Sequence, residues 1–253
     1  MRPREVIVHA DAALLAQAVA ARLLTRLLDV QSVRRPAHVG VTGGTIGIDI
    51  LAAVAASPLR DAVDWTGVHV WWGDERFLPA GDPERNETLA RRALLDPLAS
   101  ALPAENVHPM PAADTPGIDS PEDAAAAYAR ELAAFAEGPG GGVDVPAFDV
   151  LLFGVGPDGH VASLFPGNPA LDAVGTTVVG VHGSPKPPPE RISFTFDAIR
   201  AAREVWIVAA GASKRHAVTA ALGGESAKHL PVVGAVGRER TLWLIDADAT
   251  PPD

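Results

Sequence analysis

The sequence predicts an α/β fold, in which helices cover both sides of a mainly parallel β-sheet. Short runs rich in β-branched and aromatic residues alternate along the chain with longer stretches rich in alanine and leucine. Such alternation is typical of parallel sheets whose strands are joined by helices. Several of the short runs are apolar at consecutive positions, which is expected of strands that are buried on both faces.

The strands and the first two helices can be placed along the chain. The strands are expected at residues 6–8, 39–41, 68–72, 148–153, 204–208 and 241–245. The first helix is expected over residues 12–28, because leucine, valine and alanine recur there at helical spacing, and Asp11 is placed to cap its N-terminus. A second helix is expected from about residue 46 to residue 56. Each of these helices follows a predicted strand, as the fold requires.

A third helix is expected after Ser120, and the chain is expected to form one domain. Ser120 is a suitable N-cap, a proline occupies the first helical position, and an acidic residue follows three positions after the serine. This helix is expected to end near residue 138. The glycine-rich run 138–142 is short and leads directly towards a strand, so it is interpreted as a surface loop rather than a linker. Residues 1–253 therefore make up a single domain in this prediction.

Charge and composition exclude several classes of function. With Lys+Arg 21 against Asp+Glu 31, the chain has a formal net charge of -10 and no basic run, so nucleic acid and anionic membranes are poor partners. The absence of cysteine excludes disulfides, thiolate catalysis and cysteine-based zinc sites. The apolar run 12–28 is interrupted by Gln17, Arg22 and Arg26, so it is interpreted as mature structure and not as a signal peptide. We expect a cytoplasmic protein whose anionic ligands require local cations.

A candidate phosphate-binding turn follows the strand at residues 39–41. Thr42, Gly43, Gly44 and Thr45 separate this strand from a predicted helix. Glycines allow backbone N–H groups to converge, the threonine hydroxyls add donors, and the helix N-terminus contributes partial positive charge. These four residues are therefore candidates for binding a phosphate group. The alternative is an ordinary tight turn between a strand and a helix.

A second candidate group follows the strand at residues 68–72. Asp74 and Arg76 lie at the expected carboxyl end of this strand, where open α/β sheets bind ligands. Asp74 is a candidate for contacts with substrate hydroxyls, and Arg76 is a candidate for stabilising an oxyanion. The alternative is a solvated ion pair on a loop.

The main catalytic candidate is His160, in the loop that follows the strand at residues 148–153. Glycines and prolines frame this loop (GVGPDGHVASLFPG, residues 154–167), and Asp158 lies two residues before His160. Histidine is well suited to remove a proton from water near neutral pH, and a neighbouring carboxylate can fix its tautomer. No His-x-x-x-His motif and no cluster of carboxylates and histidines accompanies it, so no metal is expected.

Two basic residues are candidates for binding phosphate, whereas two further histidines are interpreted as structural. Arg191 follows a proline-rich stretch, and Lys214 lies just after the strand at residues 204–208. A guanidinium and an ammonium group both suit a phosphate. The alternative is that both are ordinary exposed basic residues. His38 and His69 lie in or beside apolar strands, which indicates packing rather than catalysis.

The most distinctive stretches are residues 73–76 (GDER), 154–167 (GVGPDGHVASLFPG) and 191–195 (RISFT). Together they resemble the family of glucosamine-6-phosphate isomerases and 6-phosphogluconolactonases, and the similarity extends over nearly the whole chain. The resemblance implies a modified Rossmann-like three-layer α/β/α sandwich and an enzyme of the oxidative pentose phosphate pathway that needs no metal and no cofactor. Many relatives have a proline where this chain has Ile46, so the phosphate-binding turn is expected to differ in its detailed contacts.

The resemblance leaves three possible functions to compare. The first is hydrolysis of 6-phospho-D-glucono-1,5-lactone. The second is deamination of glucosamine 6-phosphate, for which the matching loop of the related enzymes carries a carboxylate where this chain has Phe165. The third is a non-catalytic sugar-phosphate-sensing module, but no helix-turn-helix with a basic face is found, and Asp158 and His160 are both present. Lactone hydrolysis is therefore favoured.

The resemblance also implies roles for particular residues. The catalytic candidates are His160, Asp158 and Arg76, and the substrate-binding candidates are Thr42, Gly43, Gly44, Thr45, Asp74, Arg191 and Lys214. His160 is expected to remove a proton from the water that attacks C1, Asp158 to orient the imidazole, and Arg76 to stabilise the developing negative charge. The expected partner is a small sugar-phosphate lactone, with no nucleic acid and no membrane. The chain is expected to be a monomer or a weak homodimer.

Overall fold

The computed structural model describes residues 4–136 and 143–251, and the elements named here lie within those two stretches. The strands are β1 (Arg4–His9), β2 (Ala37–Val41), β3 (Val68–Trp72), β4 (Asp74–Arg76), β5 (Val107–His108), β6 (Val150–Gly154), β7 (Val178–Val181), β8 (Arg191–Phe194), β9 (Glu204–Ala209) and β10 (Arg240–Asp246). The helices are α1 (Ala12–Val33), α2 (Gly44–Ala56), α3 (Asn86–Ala90), α4 (Pro121–Ala134), α5 (Phe196–Ala201) and α6 (Arg215–Leu222). A π-helical turn, Arg91–Leu95, continues α3.

The main sheet of the described residues has seven strands in the order β1-β10-β9-β6-β2-β3-β5. Every neighbouring pair in it is parallel. The predicted α/β fold with a mainly parallel sheet is therefore confirmed, and each strand expected from the sequence belongs to this sheet. Within the main sheet, the strand that the sequence does not reveal is β5, which is only 2 residues long and therefore has no recognisable apolar run.

Helices cover both faces of the main sheet, as its apolar strands require. On one face, α1 and α2 pack through buried side chains such as Leu24 and Ile50. On the other face, α4, α5 and α6 pack around buried residues that include Tyr128. Trp71 and Trp72 are neighbours on β3 and belong to the cores on opposite sides, because successive side chains of a strand alternate. The result is a three-layer α/β/α sandwich.

A second, antiparallel sheet has the order β4-β8-β7. The sequence does not predict it, because β7 and β8 are each 4 residues long and β4 consists of three charged residues, which are unusual in strands. Its register places Asp74 opposite Ser193 and Arg76 opposite Arg191. Asp74 is buried in this sheet. The interpretation of Asp74 and Arg76 as a solvated ion pair on a loop is therefore wrong.

The first two helices are slightly longer than the sequence indicates. Asp11 caps α1 as expected, since its Oδ1 accepts a hydrogen bond from the backbone N–H of Leu14 at 2.8 Å. The helix continues beyond residue 28 to Val33. α2 begins at Gly44, two residues before the expected start. The candidate phosphate-binding turn thus includes the first residues of α2.

The helix expected after Ser120 is present but ends early. Ser120 Oγ accepts a hydrogen bond from the backbone N–H of Asp123 at 3.1 Å, which is the capping interaction that the sequence indicates. α4 ends at Ala134, before the expected end near residue 138. The glycine-rich run 138–142 lies outside the described residues. No helix of the described stretches is long and apolar enough to span a membrane.

Candidate active site

A cavity of about 260 Å³ lies at the carboxyl ends of β2 and β6, next to β4. β2 and β6 are neighbours in the main sheet. The next strand of this sheet after β2 is β3, on one side of the pair, and the next one after β6 is β9, on the other side. Open α/β sheets bind ligands at such a position, where the connections diverge. Most of the residues expected to act line this cavity, namely Thr42, Gly43, Gly44, Asp74, Arg76, His160, Arg191 and Lys214. Asp158 contacts His160 but does not itself line this cavity, and Thr45 lines a neighbouring one.

The turn between β2 and α2 supplies one wall of the cavity. Gly43 is the N-cap of α2, and a Cβ at this position would overlap Oδ1 of Asn86. Gly44 has a φ of 77°, a conformation that favours glycine. Thr42 Oγ1 accepts a hydrogen bond from the backbone N–H of Gly154 at 3.4 Å, which ties the turn to the end of β6. Among the described residues no side chain caps α2, so its N-terminus can bind an anion.

Thr45 is placed differently from the sequence expectation. It is exposed and lines a neighbouring cavity of about 740 Å³, which shares Gly43, Gly44 and Lys214 with the first cavity. Because α2 already begins at Gly44, Thr45 belongs to the first helical turn and lies outside the cavity that His160 lines. Thr45 therefore does not line the cavity that His160 lines, but it lines the neighbouring cavity together with Gly43, Gly44 and Lys214.

His160 and Asp158 form a hydrogen-bonded pair in the loop after β6. Nδ1 of His160 lies 2.5 Å from Oδ1 of Asp158, so the carboxylate favours the tautomer with the proton on Nδ1 and the lone pair on Nε2. Burial alone would raise the pKa of Asp158, but the hydrogen bond with His160 and the charges of His160 and Lys186 lower this pKa to about 2. Asp158 is therefore ionised at neutral pH and orients the imidazole ring.

The backbone around His160 holds this pair in place. The N–H of Gly156 donates to the carbonyl of His160 at 3.0 Å, and the N–H of Gly159 donates to the carbonyl of Gly156 at 2.9 Å. Gly159 has a φ of 79°, and a Cβ on Gly156 would overlap the imidazole ring. Ala162 lines the cavity with a φ of 51°, which is uncommon for a residue other than glycine. The glycines noted in the sequence are thus required by the turn that presents His160.

Asp74 connects the small sheet to the histidine loop. Its Oδ2 accepts a hydrogen bond from Oγ of Ser163 at 2.8 Å, and the backbone N–H of Ser163 donates to Oγ of Ser193 at 3.1 Å. Ser163 and Ser193 are fully buried. Because Asp74 is on β4 and Ser193 is on β8, these contacts fix the distance between the carboxylate of Asp74 and the loop that carries His160.

Arg191 makes more hydrogen bonds within the protein than is expected of a side chain that only binds phosphate. It is only 5% exposed. Its Nε and Nη2 atoms donate to three carbonyls of the proline-rich segment, those of Lys186, Pro187 and Pro188, at 3.0 to 3.1 Å. Two of its three guanidinium nitrogens are therefore committed to this segment. Arg191 lines the cavity, but its main structural effect is to hold the segment that carries Lys186.

Lys186 and Lys214 both line the cavity. Nζ of Lys186 lies 4.0 Å from Oδ1 of Asp158. Burial and the charge of Lys186 lower the pKa of Lys214, and the charge of Asp158 opposes them. Two ammonium groups near one another suit a doubly charged anion such as a phosphate monoester. Sequence analysis misses Lys186 because its stretch is conspicuous only for its prolines, and the turn between β7 and β8 is what brings this lysine to Lys214.

The cavity suits an anion better than a metal ion. Within residues 4–136 and 143–251, no group of three or more histidine, aspartate and glutamate side chains is arranged to hold a metal. Its lining instead includes the basic side chains of Arg76, Lys186, Arg191 and Lys214. These cations provide the local positive charge that an acidic chain needs in order to bind an anionic ligand.

Sequence comparisons identify the family. The chain matches the sequence model described as glucosamine-6-phosphate isomerases/6-phosphogluconolactonase over residues 10–243. A 6-phosphogluconolactonase of Streptomyces coelicolor is 56% identical over 245 residues, which cover 97% of this chain and 93% of that protein. A 6-phosphogluconolactonase of Mycobacterium tuberculosis is 44% identical over 239 residues, which cover 94% of each. Both relatives match almost the full length of the chain.

Solved structures agree with the sequence comparisons. The 6-phosphogluconolactonase of Trypanosoma brucei has a TM-score of 0.83 and 26% identity, with coverage of 98% of this chain and 97% of that one. A monomeric glucosamine-6-phosphate deaminase has a TM-score of 0.75 at 16% identity, with coverage of 97% and 98%, and this likeness concerns the fold alone. With the family's sequence model, the curated relatives and the fold in agreement, the chain belongs to the family of glucosamine-6-phosphate isomerases and 6-phosphogluconolactonases.

Proposed function

We propose that this chain hydrolyses 6-phospho-D-glucono-1,5-lactone to 6-phospho-D-gluconate, a reaction of the oxidative pentose phosphate pathway. Support for the activity comes from the relatives of 56% and 44% identity, which carry its name. The observation that carries the chemistry is the 2.5 Å contact between Nδ1 of His160 and Oδ1 of Asp158 at a cavity lined by basic residues. This arrangement combines a base with groups that bind a phosphate.

His160 acts as the general base in this proposal. Its Nδ1–H group donates a hydrogen bond to the ionised Asp158, which leaves the lone pair of Nε2 to accept a proton from water. The pKa of Asp158, lowered to about 2, keeps the carboxylate charged throughout the neutral range. Its negative charge also stabilises the imidazolium that forms when the water loses its proton. Asp158 is accordingly proposed as the residue that orients and supports the base.

Lys186 and Lys214 bind the substrate phosphate in this proposal, together with the N-terminus of α2 at Gly43 and Gly44. All four residues line the cavity that His160 lines. Arg191 contributes chiefly by holding the segment that carries Lys186. Fixing the phosphate at C6 orients the rest of the substrate, so that C1 can approach the base at a productive angle.

Arg76 and Asp74 serve the reacting end of the substrate in this proposal. The water oxygen forms a bond to C1, and the carbonyl oxygen becomes an oxyanion that the guanidinium of Arg76 stabilises. The bond between C1 and the ring oxygen then breaks, and the protonated His160 returns its proton to that oxygen, which becomes the C5 hydroxyl. The new carboxylic acid releases a proton to solvent. Asp74 accepts hydrogen bonds from substrate hydroxyls.

Phe165 favours the lactonase reaction over deamination. It is 1% exposed, and its ring centroid lies 4.5 Å from that of His160. An apolar ring at this place cannot supply the carboxylate that the deaminase loop carries there. A non-catalytic sensing role is also less well supported, because the hydrogen-bonded pair of Asp158 and His160 is in place.

We also propose that residues 1–253 form a single domain that works in the cytoplasm as a monomer or a weak homodimer. Support for the single domain comes from the main sheet, in which the first strand of the chain pairs with the last, β1 with β10. The net charge of -10 disfavours nucleic acid and anionic membranes as partners.

Parallel assays with two substrates test the activity. Freshly prepared 6-phospho-D-glucono-1,5-lactone and glucosamine 6-phosphate are each incubated with the protein and with a blank that contains no enzyme, because the lactone also hydrolyses spontaneously. The expected result is faster formation of 6-phosphogluconate than in the blank and no release of ammonia from the amino sugar. Ammonia release without lactone hydrolysis would reverse the assignment.

A further inference from the structure

We propose that Glu75 is a positioning residue of the active site, whose carboxylate holds the segment 76–87 so that Arg76 and Asn86 face the substrate. This inference rests on the proposed function, because it assigns Glu75 an effect on the same reaction. Glu75 lies on β4 between Asp74 and Arg76, which line the cavity. Successive side chains of a strand alternate, and Glu75 is fully buried and does not line the cavity.

The carboxylate of Glu75 accepts three backbone hydrogen bonds. Its Oε1 accepts from the N–H of Arg76 at 2.8 Å and of Asn86 at 2.7 Å, and its Oε2 accepts from the N–H of Glu87 at 2.8 Å. The N–H groups at the start of a helix need acceptors, and no side chain at the N-cap of α3 supplies one. Glu75 performs this task from β4 and thereby closes the intervening loop onto the strand.

Arg85 accompanies the carboxylate inside the protein. Its Nη2 lies 3.9 Å from Oε2 of Glu75, and its side chain is 1% exposed. Nη1 donates to the carbonyl of Leu78 at 3.1 Å and Nη2 to that of Met110 at 2.8 Å. Burial raises the pKa of Glu75 to about 7, while Arg85 and the backbone N–H donors act to lower it. Nε of Arg85 also lies 3.5 Å from Oε2 of Glu87, so the guanidinium joins the carboxylate of Glu75 to the first turn of α3.

Two cavity-lining residues depend on this segment. Nη1 of Arg76 donates to the carbonyl of Glu84, which lies in the segment. Nδ2 of Asn86 donates to the carbonyl of Asp74 at 2.9 Å. The opposite amide orientation would set two oxygens against each other, so Oδ1 of Asn86 must lie on the other side, where it packs against Gly43 of the phosphate-binding turn. Glu75 thus acts at a distance on the guanidinium of Arg76 and on the wall beside Gly43.

A double-mutant cycle between Glu75 and Arg76 tests this role. Glu75→Gln keeps the size of the side chain but replaces one acceptor oxygen with an amino group. We expect it to lower kcat on fresh lactone by about tenfold or more, and by less than about twofold in an Arg76→Ala background, because a residue that acts through Arg76 has little left to affect. Equal factors in the two backgrounds, or an unchanged kcat in the single variant, would overturn the proposal.

Two further variants keep this test decisive. Glu239→Gln neutralises a partly exposed carboxylate that pairs with Arg203 and does not line the cavity, and it is expected to leave kcat unchanged. Glu75→Asp retains the charge with a shorter reach. It replaces the Gln variant in the same cycle if that variant does not fold, with the same outcomes.

Amide hydrogen exchange makes the test independent of the assigned reaction. Loss of the carboxylate is expected to speed exchange at the N–H groups of Asn86 and Glu87, with little change in the main sheet. Unchanged exchange at these groups in Glu75→Gln would overturn the positioning role even if the wild-type chain hydrolyses the lactone. Failure of the wild-type chain to hydrolyse the lactone, with exchange altered as expected, would instead refute the proposed function.

Discussion

Lys186 and Lys214 show how single residues cooperate in the site. Both line the cavity, and burial, together with the charge of Lys186, lowers the pKa of Lys214. Two ammonium groups held close together repel one another until an anion lies between them. Asp158 relieves part of this repulsion, since its carboxylate lies 4.0 Å from Nζ of Lys186. The lysines proposed to bind phosphate and the proposed base are thereby linked through Asp158.

Removing either lysine is predicted to weaken binding of the product 6-phosphogluconate. Hydrogen bonds to charged groups contribute roughly 1.5 to 3 kcal/mol, so Lys186→Ala and Lys214→Ala should each raise Kd by about tenfold to a hundredfold. Isothermal titration calorimetry measures this change. Lys228→Ala, which removes an exposed lysine outside the cavity, serves as the matched control. An unchanged Kd in one of the two variants would remove that lysine from phosphate binding.

The site residues that sequence analysis recognises are those with a local signal. His160 and Asp158 are two positions apart in a loop rich in glycine and proline, and their contact forms within that loop. Lys186 and Asn86 carry no such signal, and Glu75 lies in the distinctive stretch 73–76 without any local indication of its role. Their places in or behind the cavity wall depend on β4, β7 and β8, which pair segments far apart in the chain. The contacts that long-range pairing creates are not visible in the neighbouring sequence, even where the residue itself lies in a distinctive stretch.

At the scale of elements, strand length and polarity decide what the sequence reveals. The strands that the sequence predicts are apolar at successive positions because helices cover both faces of the main sheet. β4 differs from these strands because its three residues are charged. Asp74 and Glu75 are nevertheless buried, and hydrogen bonds rather than apolar contacts hold them in place. The low strand propensity of charged residues alone would assign such a segment to a loop.

The small sheet is the element that assembles the site. β4 carries Asp74 and Arg76, and β8 carries Arg191 and Ser193, which bind the proline-rich segment and the histidine loop respectively. The main sheet supplies the turn after β2 and the loop after β6. The cavity therefore lies where two sheets meet, and an error in the register of β4 against β8 would separate Arg76 from His160.

At the scale of the whole molecule, a row of two buried histidines and one half-buried histidine lies on the main sheet away from the cavity. The histidine row consists of His38 on β2, His69 on β3 and His108 on β5. Nδ1 of His69 lies 2.8 Å from Nε2 of His108, and Nδ1 of His108 lies 2.7 Å from Oε1 of Glu131. Nε1 of Trp71 donates to Nδ1 of His38 at 3.1 Å. The structural interpretation of His38 and His69 from the sequence agrees with these contacts.

Two members of the histidine row, His38 and His69, are predicted to make the fold sensitive to acid. Burial, with the charges of neighbouring histidines, lowers the pKa of His38 from 6.5 to about 3 and that of His69 from 6.5 to about 4. As the pH falls below 6.5, these histidines bind protons in the unfolded chain before they do so in the folded one. The free energy of unfolding therefore decreases from about pH 6.5 downwards, until the folded pKa values are reached.

Urea unfolding at pH 7.5 and pH 5 measures this effect. His38→Asn offers an amide oxygen near the position of Nδ1 and removes the titrating ring, so the loss of stability between the two pH values should be smaller than in the wild type. His216→Asn changes an exposed histidine of α6. In this variant the free energy of unfolding should decrease between pH 7.5 and pH 5 by as much as in the wild type. An equal loss in His38→Asn would show that His38 does not cause the acid sensitivity.

The central claim, that His160 activates the water which opens the lactone, is tested most directly by the kcat of His160→Ala on fresh lactone after subtraction of spontaneous hydrolysis. Loss of a general base is predicted to lower kcat by at least about a hundredfold. The Kd for 6-phosphogluconate should change far less, because the lysines remain in place. His229→Ala, on a histidine whose side chain is 74% exposed, should retain wild-type kcat. A kcat of His160→Ala close to that of the wild type would contradict the claim.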